Sequence, residues 1–172
     1  MRKVLRAGSF AFCIFLAITV FPQSSEWKEY VYAEDGFAIA WPSQPVIQKR
    51  IMKAKAGDVE AHLYHVPLES YQLLFMYAPL HPNDQRTPEQ ALEDAKKGPT
   101  LTGAKLISEK SISLGRYPGI EIETEDARYH QRGRFYAVER KMYALTVSTP
   151  KEKPFPGELQ RWYSSFRIIE QK

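Results

Sequence analysis

The chain has a single cysteine, Cys13, and none follows it. Disulfides, cysteine-bound zinc, iron–sulfur clusters and thiol catalysis are therefore excluded for everything after that position. Cys13 follows Phe10, Ala11 and Phe12. This differs from the leucine-containing box that precedes a lipidated cysteine. We therefore interpret Cys13 as an apolar filler.

Motifs that carry catalysis or cofactors are missing as well. The sequence contains no G-x-S-x-G nucleophile elbow, no G-x-G-x-x-G and no P-loop. Of the four histidines, only His62 and His65 lie close in sequence, and residues three apart on a strand point to opposite faces of a sheet. His81 is in a loop and His130 in a predicted turn, so we interpret all four as unconnected. The sequence predicts no catalytic residue, no metal site and no cofactor.

The chain also lacks a strong excess of positive charge outside its first residues. The formal net charge is +4, from 24 basic and 20 acidic side chains. Three of the basic residues lie in the first six positions, which leaves 21 basic against 20 acidic for the rest. A nucleic-acid-binding domain needs a clustered basic surface, so we expect no nucleic-acid partner.

What the sequence does contain begins with the pattern of a secretory signal. An apolar stretch covers residues 10–21, ends at Pro22, and follows three basic residues, Arg2, Lys3 and Arg6. The stretch is shorter than the roughly 20 residues that a membrane-spanning helix needs.

Residues 1–25 are therefore predicted to be a signal peptide, with one exported domain over 26–172. No Ala-x-Ala site precedes residue 26, so an uncleaved membrane anchor remains the alternative. We expect a periplasmic or extracellular protein, in contact with a membrane only through this segment if it stays uncleaved.

The rest of the chain is predicted to consist mostly of short strands. Alternating or apolar stretches bounded by turn residues place them at 27–33, 37–41, 46–55, 59–66, 70–78, 105–114, 120–126, 132–140, 142–149 and 167–169. One helix is predicted between Pro88 and Gly98, with Thr87 as N-cap and an inward stripe of Ala91, Leu92 and Ala95. A second helix is predicted over 157–166.

The strand after residue 119 places Glu121, Glu123 and Glu125 on one face. If the hairpin turns at 126–131, Glu125 faces Arg132 and Glu123 faces Arg134, while Ile122 faces Phe135 and Ile120 faces Ala137. We interpret the glutamates as a salt-bridged outer face rather than a carboxylate site for calcium or acid–base chemistry.

The following hairpin is predicted to turn at Arg140–Lys141. It would place Tyr143, Leu145 and Val147 on the same face as Arg134, so both faces of the sheet are expected to be partly covered.

Four local patterns resemble the PsbP/Mog1-like superfamily, in particular its small exported bacterial members. They are Gly36-Phe37-x-Ile39-x-x-Pro42, the turn Gly115-Arg116-Tyr117-Pro118-Gly119, Arg134-Phe135-Tyr136 followed by Tyr143-x-Leu145-x-Val147, and Ser165-Phe166. The resemblance implies an α+β fold with helices packed on a central antiparallel sheet (an α/β/α sandwich) in one domain. It also implies a binding or assembly role, and it transfers no catalytic residue.

Aromatic and loop residues are the candidates for a partner surface, because aromatics are enriched at contact hot spots and loops often carry function. They are Trp41, Tyr117, His81, Asn83 and Arg86. The basic stretch Lys49, Arg50, Lys53 and Lys55 is interpreted as an edge strand protected by lysines; a contact with an anionic partner is the alternative.

Three hypotheses of function follow. The first is an exported, non-catalytic binding or assembly module of the cell envelope with an unknown protein partner. The second is a small-ligand carrier with a pocket between sheet and helices, lined by Tyr71, Phe75, Tyr143 and Trp162. The third is an enzyme with an unfamiliar site.

Overall fold

The computed structural model describes residues 26–101 and 103–169, and the predicted signal peptide lies outside the described residues. The elements in chain order are β1 (Lys28–Tyr32), β2 (Phe37–Trp41), β3 (Val46–Met52), β4 (Val59–Pro67), β5 (Gln72–Pro79), α1 (Pro88–Leu101), β6 (Lys105–Leu114), β7 (Tyr117–Glu125), β8 (Tyr129–Val138), β9 (Lys141–Pro150), α2 (Leu159–Ser165) and β10 (Arg167–Ile168).

Seven of the strands form one antiparallel sheet in the order β3-β4-β5-β9-β8-β7-β6. Hairpins join β3 to β4, β4 to β5, and β6 through β9 in succession, so the sheet consists of two meanders that meet at β5 and β9. Helix α1 connects the two meanders. The predicted α+β class with a central antiparallel sheet is thus the architecture observed.

The β7–β8 register differs from the predicted one by two residues. Glu121 faces Arg134 and Glu123 faces Arg132, because the turn occupies only residues 126–128 instead of 126–131. Asp126 Oδ1 closes this turn by accepting hydrogen bonds from the backbone N–H groups of Arg128 and Tyr129, at 2.7 and 2.8 Å. An even shift preserves the faces, so the glutamates still lie on one face and still meet arginines.

The next hairpin turns at Glu139–Arg140, one residue earlier than predicted. Arg134 consequently faces Leu145, and the prediction that Leu145 shares a face with Arg134 is confirmed. Tyr117 is also displaced from its expected place, because it is the first residue of β7 rather than part of the preceding turn.

Helix α1 begins as predicted and ends later. Gln90 N donates to Thr87 Oγ1 at 3.3 Å, and Thr87 N donates to Gln90 Oε1 at 2.9 Å, which is a reciprocal capping box. The prediction that Gly98 closes the helix is wrong, since α1 continues to Leu101. The inward stripe is confirmed: Ala91 and Leu92 are buried against a cluster from β7, β8 and β9.

The opposite face of the large sheet is covered by a mixed layer. A small antiparallel sheet, β1-β2-β10, and helix α2 pack there. One outer layer therefore contains strands as well as a helix, where the sequence predicted helices alone. Between the layers lies the main core, which includes the fully buried Phe37, Trp41, Phe75, Leu145 and Trp162.

Neither helix of the described residues is long and apolar enough to cross a membrane.

Candidate functional site

An apolar groove lies between α1 and the large sheet. Helix α1 packs mainly over β6, β7 and β8, and its Ala91 and Leu92 lie in one cluster with Met142 of β9. The groove has a volume of about 440 Å³. Its apolar lining includes Met52, Val59, Met76, Ala78, Leu80, Ala91, Ala95, Phe135, Met142 and Ala144.

Short side chains create this space. Ala91 and Ala95 face the sheet from α1, and Ala78 and Ala144 face the helix from β5 and β9. A methyl group fills little of the gap between a helix and a sheet. Longer side chains at these four positions would fill the groove. The concave apolar surface therefore exists because all four residues are alanine.

One wall of the groove is the proline-containing loop over 80–86, which ion pairs and hydrogen bonds hold in place. Asp84 is 4% exposed and accepts hydrogen bonds from Arg86 Nε at 3.0 and 3.1 Å. Arg86 Nη1 also reaches Asp94 on α1 at 3.0 Å. The Arg86 guanidinium lowers the pKa of Asp84 to about 2, so this ion pair is present at any physiological pH.

A second arginine fixes the backbone of the same loop. Arg140, from the β8–β9 turn, donates from Nη2 to the carbonyl oxygens of His81 at 2.6 Å and Asp84 at 3.2 Å. The loop is thus bound both to α1 and to the sheet. The groove wall is formed before any ligand arrives, which lowers the entropic cost of binding.

The structure brings only part of the predicted partner surface together. His81 and Arg86 line the groove, and Asn83 is exposed on the same loop. Tyr117 lies elsewhere, in a separate concavity with Arg116, Glu139 and Lys141.

Trp41 cannot belong to a contact surface, and this part of the prediction is wrong. Its side chain is 0% exposed, and its ring lies 5.5 Å from that of Trp162 between the two sheets. The sequence places Trp41 at the end of a strand before a proline turn, a position that is equally consistent with a core residue.

The ligand pocket predicted between sheet and helices is not found among the described residues, because side chains fill that space. Phe75 and Tyr143 lie 6.2 Å apart between ring centroids, and Phe166 lies 5.5 Å from each. Trp162 is fully buried in the same core. The apolar groove lies on the other face of the large sheet and shares only Tyr143 with the predicted lining.

A buried polar cluster around Asp35 is a feature that the sequence did not predict. Asp35, in the β1–β2 turn, is 5% exposed. Its Oδ2 accepts a hydrogen bond from the Tyr64 hydroxyl and lies 2.7 Å from His62 Nδ1. Its backbone carbonyl accepts a 2.9 Å hydrogen bond from the Tyr143 hydroxyl. No local pattern links a turn aspartate to a histidine 27 positions later.

The protonation states of His62 and Tyr64 indicate that this cluster has a structural role. Burial lowers the pKa of His62, but hydrogen bonds to Asp35 and Glu60 outweigh it and leave the pKa raised. Burial and the Asp35 carboxylate raise the pKa of Tyr64, so its hydroxyl remains a donor. We conclude that these three side chains attach the β1–β2 turn to β4.

The predicted carboxylate row is paired throughout. Glu121 contacts Arg134 at 2.6 Å, Glu123 contacts Arg132 at 2.7 Å, and Glu125 contacts Lys151 at 2.9 Å. His130 is not the unconnected histidine that we expected, since its Nε2 lies 2.6 Å from Glu123.

The row is also less exposed than predicted. Arg134 stacks over the Tyr163 ring and Arg132 over the Phe155 ring, so an outer face was the wrong description. Among the described residues, no group of three His, Cys, Asp or Glu side chains could hold a metal ion.

Comparison with solved structures defines the class of fold: the chain has a PsbP-like fold. It superposes on the solution structure of cyanobacterial PsbP (CyanoP) from Synechocystis sp. PCC 6803 with a TM-score of 0.55, 13% identity, and coverage of 94% of this chain and 100% of that one. The resemblance predicted from the sequence motifs is confirmed at the level of the fold.

A second structure is a protein of unknown function from Pseudomonas aeruginosa, with a TM-score of 0.46, 11% identity, and coverage of 68% of this chain and 92% of that one. No protein-family model matches the sequence, and no curated protein matches it either.

Proposed function

We propose that this chain is an exported, non-catalytic binding module of the cell envelope that holds an apolar segment of a protein partner in the groove beside α1. The observation that supports this proposal is the groove itself: an apolar concavity with a wall fixed by Arg86 and Arg140. The PsbP-like fold is compatible with a binding role, although fold alone does not determine function.

The chemistry around the groove suits recognition better than catalysis. Three of the ionisable side chains at its rim, Asp84, Arg86 and Asp94, form ion pairs with one another. A catalytic group needs a perturbed environment and access to its substrate. Ion-paired side chains at a rim keep the site soluble and can orient a partner instead.

A protein segment fits this surface because the groove ends at an exposed sheet edge. Met52 and Val59 form its end at β3 and β4, and Lys53 lies at that rim. A partner segment with apolar side chains would cover the floor, and an acidic residue beside them would pair with Lys53. Buried apolar anchors surrounded by a polar rim are the usual composition of a protein interface.

Site-directed photo-crosslinking tests the proposal in the envelope of the producing cell. A photoreactive residue at Ala95, inside the groove, is compared with one at Glu89 on the exposed side of α1. We expect a discrete crosslinked protein from position 95 only. The Met76→Glu variant should abolish this product, because it places a carboxylate on the groove floor.

Leu74→Glu is the matched control, since Leu74 lies on the same face of β5 but outside the groove. Equal crosslinking from positions 95 and 89, or insensitivity to Met76→Glu, would refute the assignment of the groove as the binding site. Export is tested separately, by the N-terminal residue of the purified protein: a start near residue 25 or 26 supports it, and a retained leader without membrane or periplasmic localisation contradicts it.

The groove's size favours one second candidate, a small apolar ligand. Ligand pockets typically measure about 300–1,000 Å³ and have mostly apolar linings, and this groove lies within that range at about 440 Å³. Native mass spectrometry distinguishes the two: a bound small molecule that is lost in Met76→Glu and retained in Leu74→Glu favours the ligand.

A further inference from the structure

The two edge strands of the large sheet differ in how they are protected. β3 forms one edge and β6 the other. All seven residues of β3 are exposed. In the described part of the chain, seven large hydrophobic side chains are exposed, and four of them lie on β3: Val46 at 54%, Ile47 at 52%, Ile51 at 63% and Met52 at 40%.

The β6 edge is protected in the ways expected of an edge strand. A register shift between Leu106 and Ser108 interrupts its pairing with β7, and serines and charged residues occupy most of its middle. Bulges and charges of this kind prevent edge-to-edge association. β3 has no register shift in its pairing with β4, so its outer edge is regular, and exposed apolar residues occupy both of its ends.

The basic residues protect β3 less than the sequence suggested. Lys53 and Lys55 lie beyond the strand, which ends at Met52. Lys49 is paired with Glu60 on β4 at 3.0 Å, and Arg50 Nη2 donates to Gln48 Oε1 at 3.0 Å. Both basic side chains of the strand therefore already have partners within their own subunit.

We propose that β3 pairs antiparallel with β3 of a second copy of this chain, on a two-fold axis that passes through Lys49. The strand reads Val-Ile-Gln-Lys-Arg-Ile-Met, which has similar chemistry in both directions. Antiparallel pairing about its centre places Val46 opposite Met52, Ile47 opposite Ile51, and Gln48 opposite Arg50 of the partner copy. Each apolar side chain meets an apolar one.

In this arrangement, corresponding faces of the two sheets lie on the same side of the joined sheet. Directly opposed residues on antiparallel strands project to the same side of a sheet. The Gln48–Arg50 hydrogen bond now made within one strand can also form across the axis, since both side chains lie on one face. This is an isologous contact, in which one patch is complementary to itself, and two-fold dimers use such contacts.

The axis places Lys49 opposite its own copy, which is the least favourable pair. Glu60 lies beside each Lys49, so the centre of the interface contains two carboxylates and two ammonium groups. These four charges sum to zero, which offsets the repulsion between the two Lys49 side chains. The two Arg50 side chains point to the other face of the sheet. A foreign strand would need its own matching sequence, whereas the second copy supplies it.

Disulfide trapping tests the register of this pairing. The full chain is used with Cys13→Ala, so that an introduced cysteine is the only one. Opposed Cα atoms of an antiparallel pair are about 4.5–5.5 Å apart, within the range that a disulfide spans. We expect Lys49→Cys to form a covalent dimer under mild oxidation, at protein concentrations where Ser111→Cys on the β6 edge remains monomeric.

Two further variants separate specific pairing from random collision. Ile47→Cys alone and Ile51→Cys alone should crosslink poorly, whereas an equimolar mixture of the two should crosslink efficiently, because residue 47 faces residue 51. Absence of a covalent dimer from Lys49→Cys would overturn the proposal. Equal crosslinking at 47, 49 and 51, each alone, would overturn it too, since it would show contact without register.

Discussion

Asp35 and His62 lie 2.7 Å apart between Oδ2 and Nδ1, although they come from a turn and a strand on different sheets. His62 is 14% exposed in its side chain, and its pKa is raised because the hydrogen bonds to Asp35 and Glu60 outweigh its burial. The ion pair joins the β1–β2 hairpin to the large sheet. It adds a polar contact to the apolar core that lies between the two layers.

This pair should make stability depend on pH in a defined direction. A histidine whose pKa is raised on folding contributes stability that is fully present below its unfolded value of about 6.5, and that is lost as the pH rises through the higher folded pKa. We expect the free energy of unfolding, from urea denaturation, to fall from pH 6 towards pH 8. In His62→Gln this decrease should be smaller; an unchanged pH profile would contradict the assignment.

Removing the carboxylate should cost more than removing either of its partners. Asp35→Ala leaves the buried Tyr64 hydroxyl and His62 without their acceptor, and breaking a buried pair from one side costs about 3–5 kcal/mol. Tyr64→Phe removes one hydrogen bond and should cost about 1 kcal/mol. Denaturation of both variants at pH 6 measures the difference. Equal losses would show that Asp35 is not the centre of this cluster.

Trp41 should behave as a core residue and not as a contact residue. It is fully buried against Trp162, and truncating a buried tryptophan to alanine costs about 3–5 kcal/mol. We expect Trp41→Ala to lower the midpoint of thermal unfolding strongly. Val31→Ala, on an exposed residue of the same small sheet, should change it little. A stable Trp41→Ala variant with reduced partner crosslinking would restore the surface interpretation.

The sequence predicted what depends on local patterns and failed where distant residues meet. The alternation of Glu121, Glu123 and Glu125 was enough to place them on one face, because the period of a strand is local. The predicted partners of these glutamates on β8 were wrong by two positions. The reason is that the turn after Glu125 is shortened by Asp126, which accepts two backbone hydrogen bonds.

The groove could not be predicted for a similar reason. The alanine stripe of α1 was correctly recognised as facing inward, but whether such a stripe packs tightly or leaves space depends on the residues opposite it. Here these are Ala78 and Ala144, on strands far away in sequence. Arg86 and His81 were predicted as partner-surface residues because they lie in a loop. Arg140, which holds this loop, could not be predicted because it comes from a hairpin turn with no distinctive sequence pattern.

Arg140 should therefore control the groove without controlling the fold. It donates to the carbonyl oxygens of His81 and Asp84 from the β8–β9 turn, so Arg140→Ala removes this support of the loop wall while the Asp84–Arg86 pair remains. We expect faster amide hydrogen exchange across residues 80–86 and weaker partner crosslinking from position 95, because binding must now order the loop. Global stability should fall by only about 1–2 kcal/mol.

Arg128→Ala, in the β7–β8 turn, is the matched control and should change neither measurement. If Arg140→Ala leaves exchange in the loop unchanged, the Arg140 side chain does not hold the loop, and the wall depends on Arg86 and on the backbone hydrogen bond from Leu80 N to the carbonyl oxygen of residue 140.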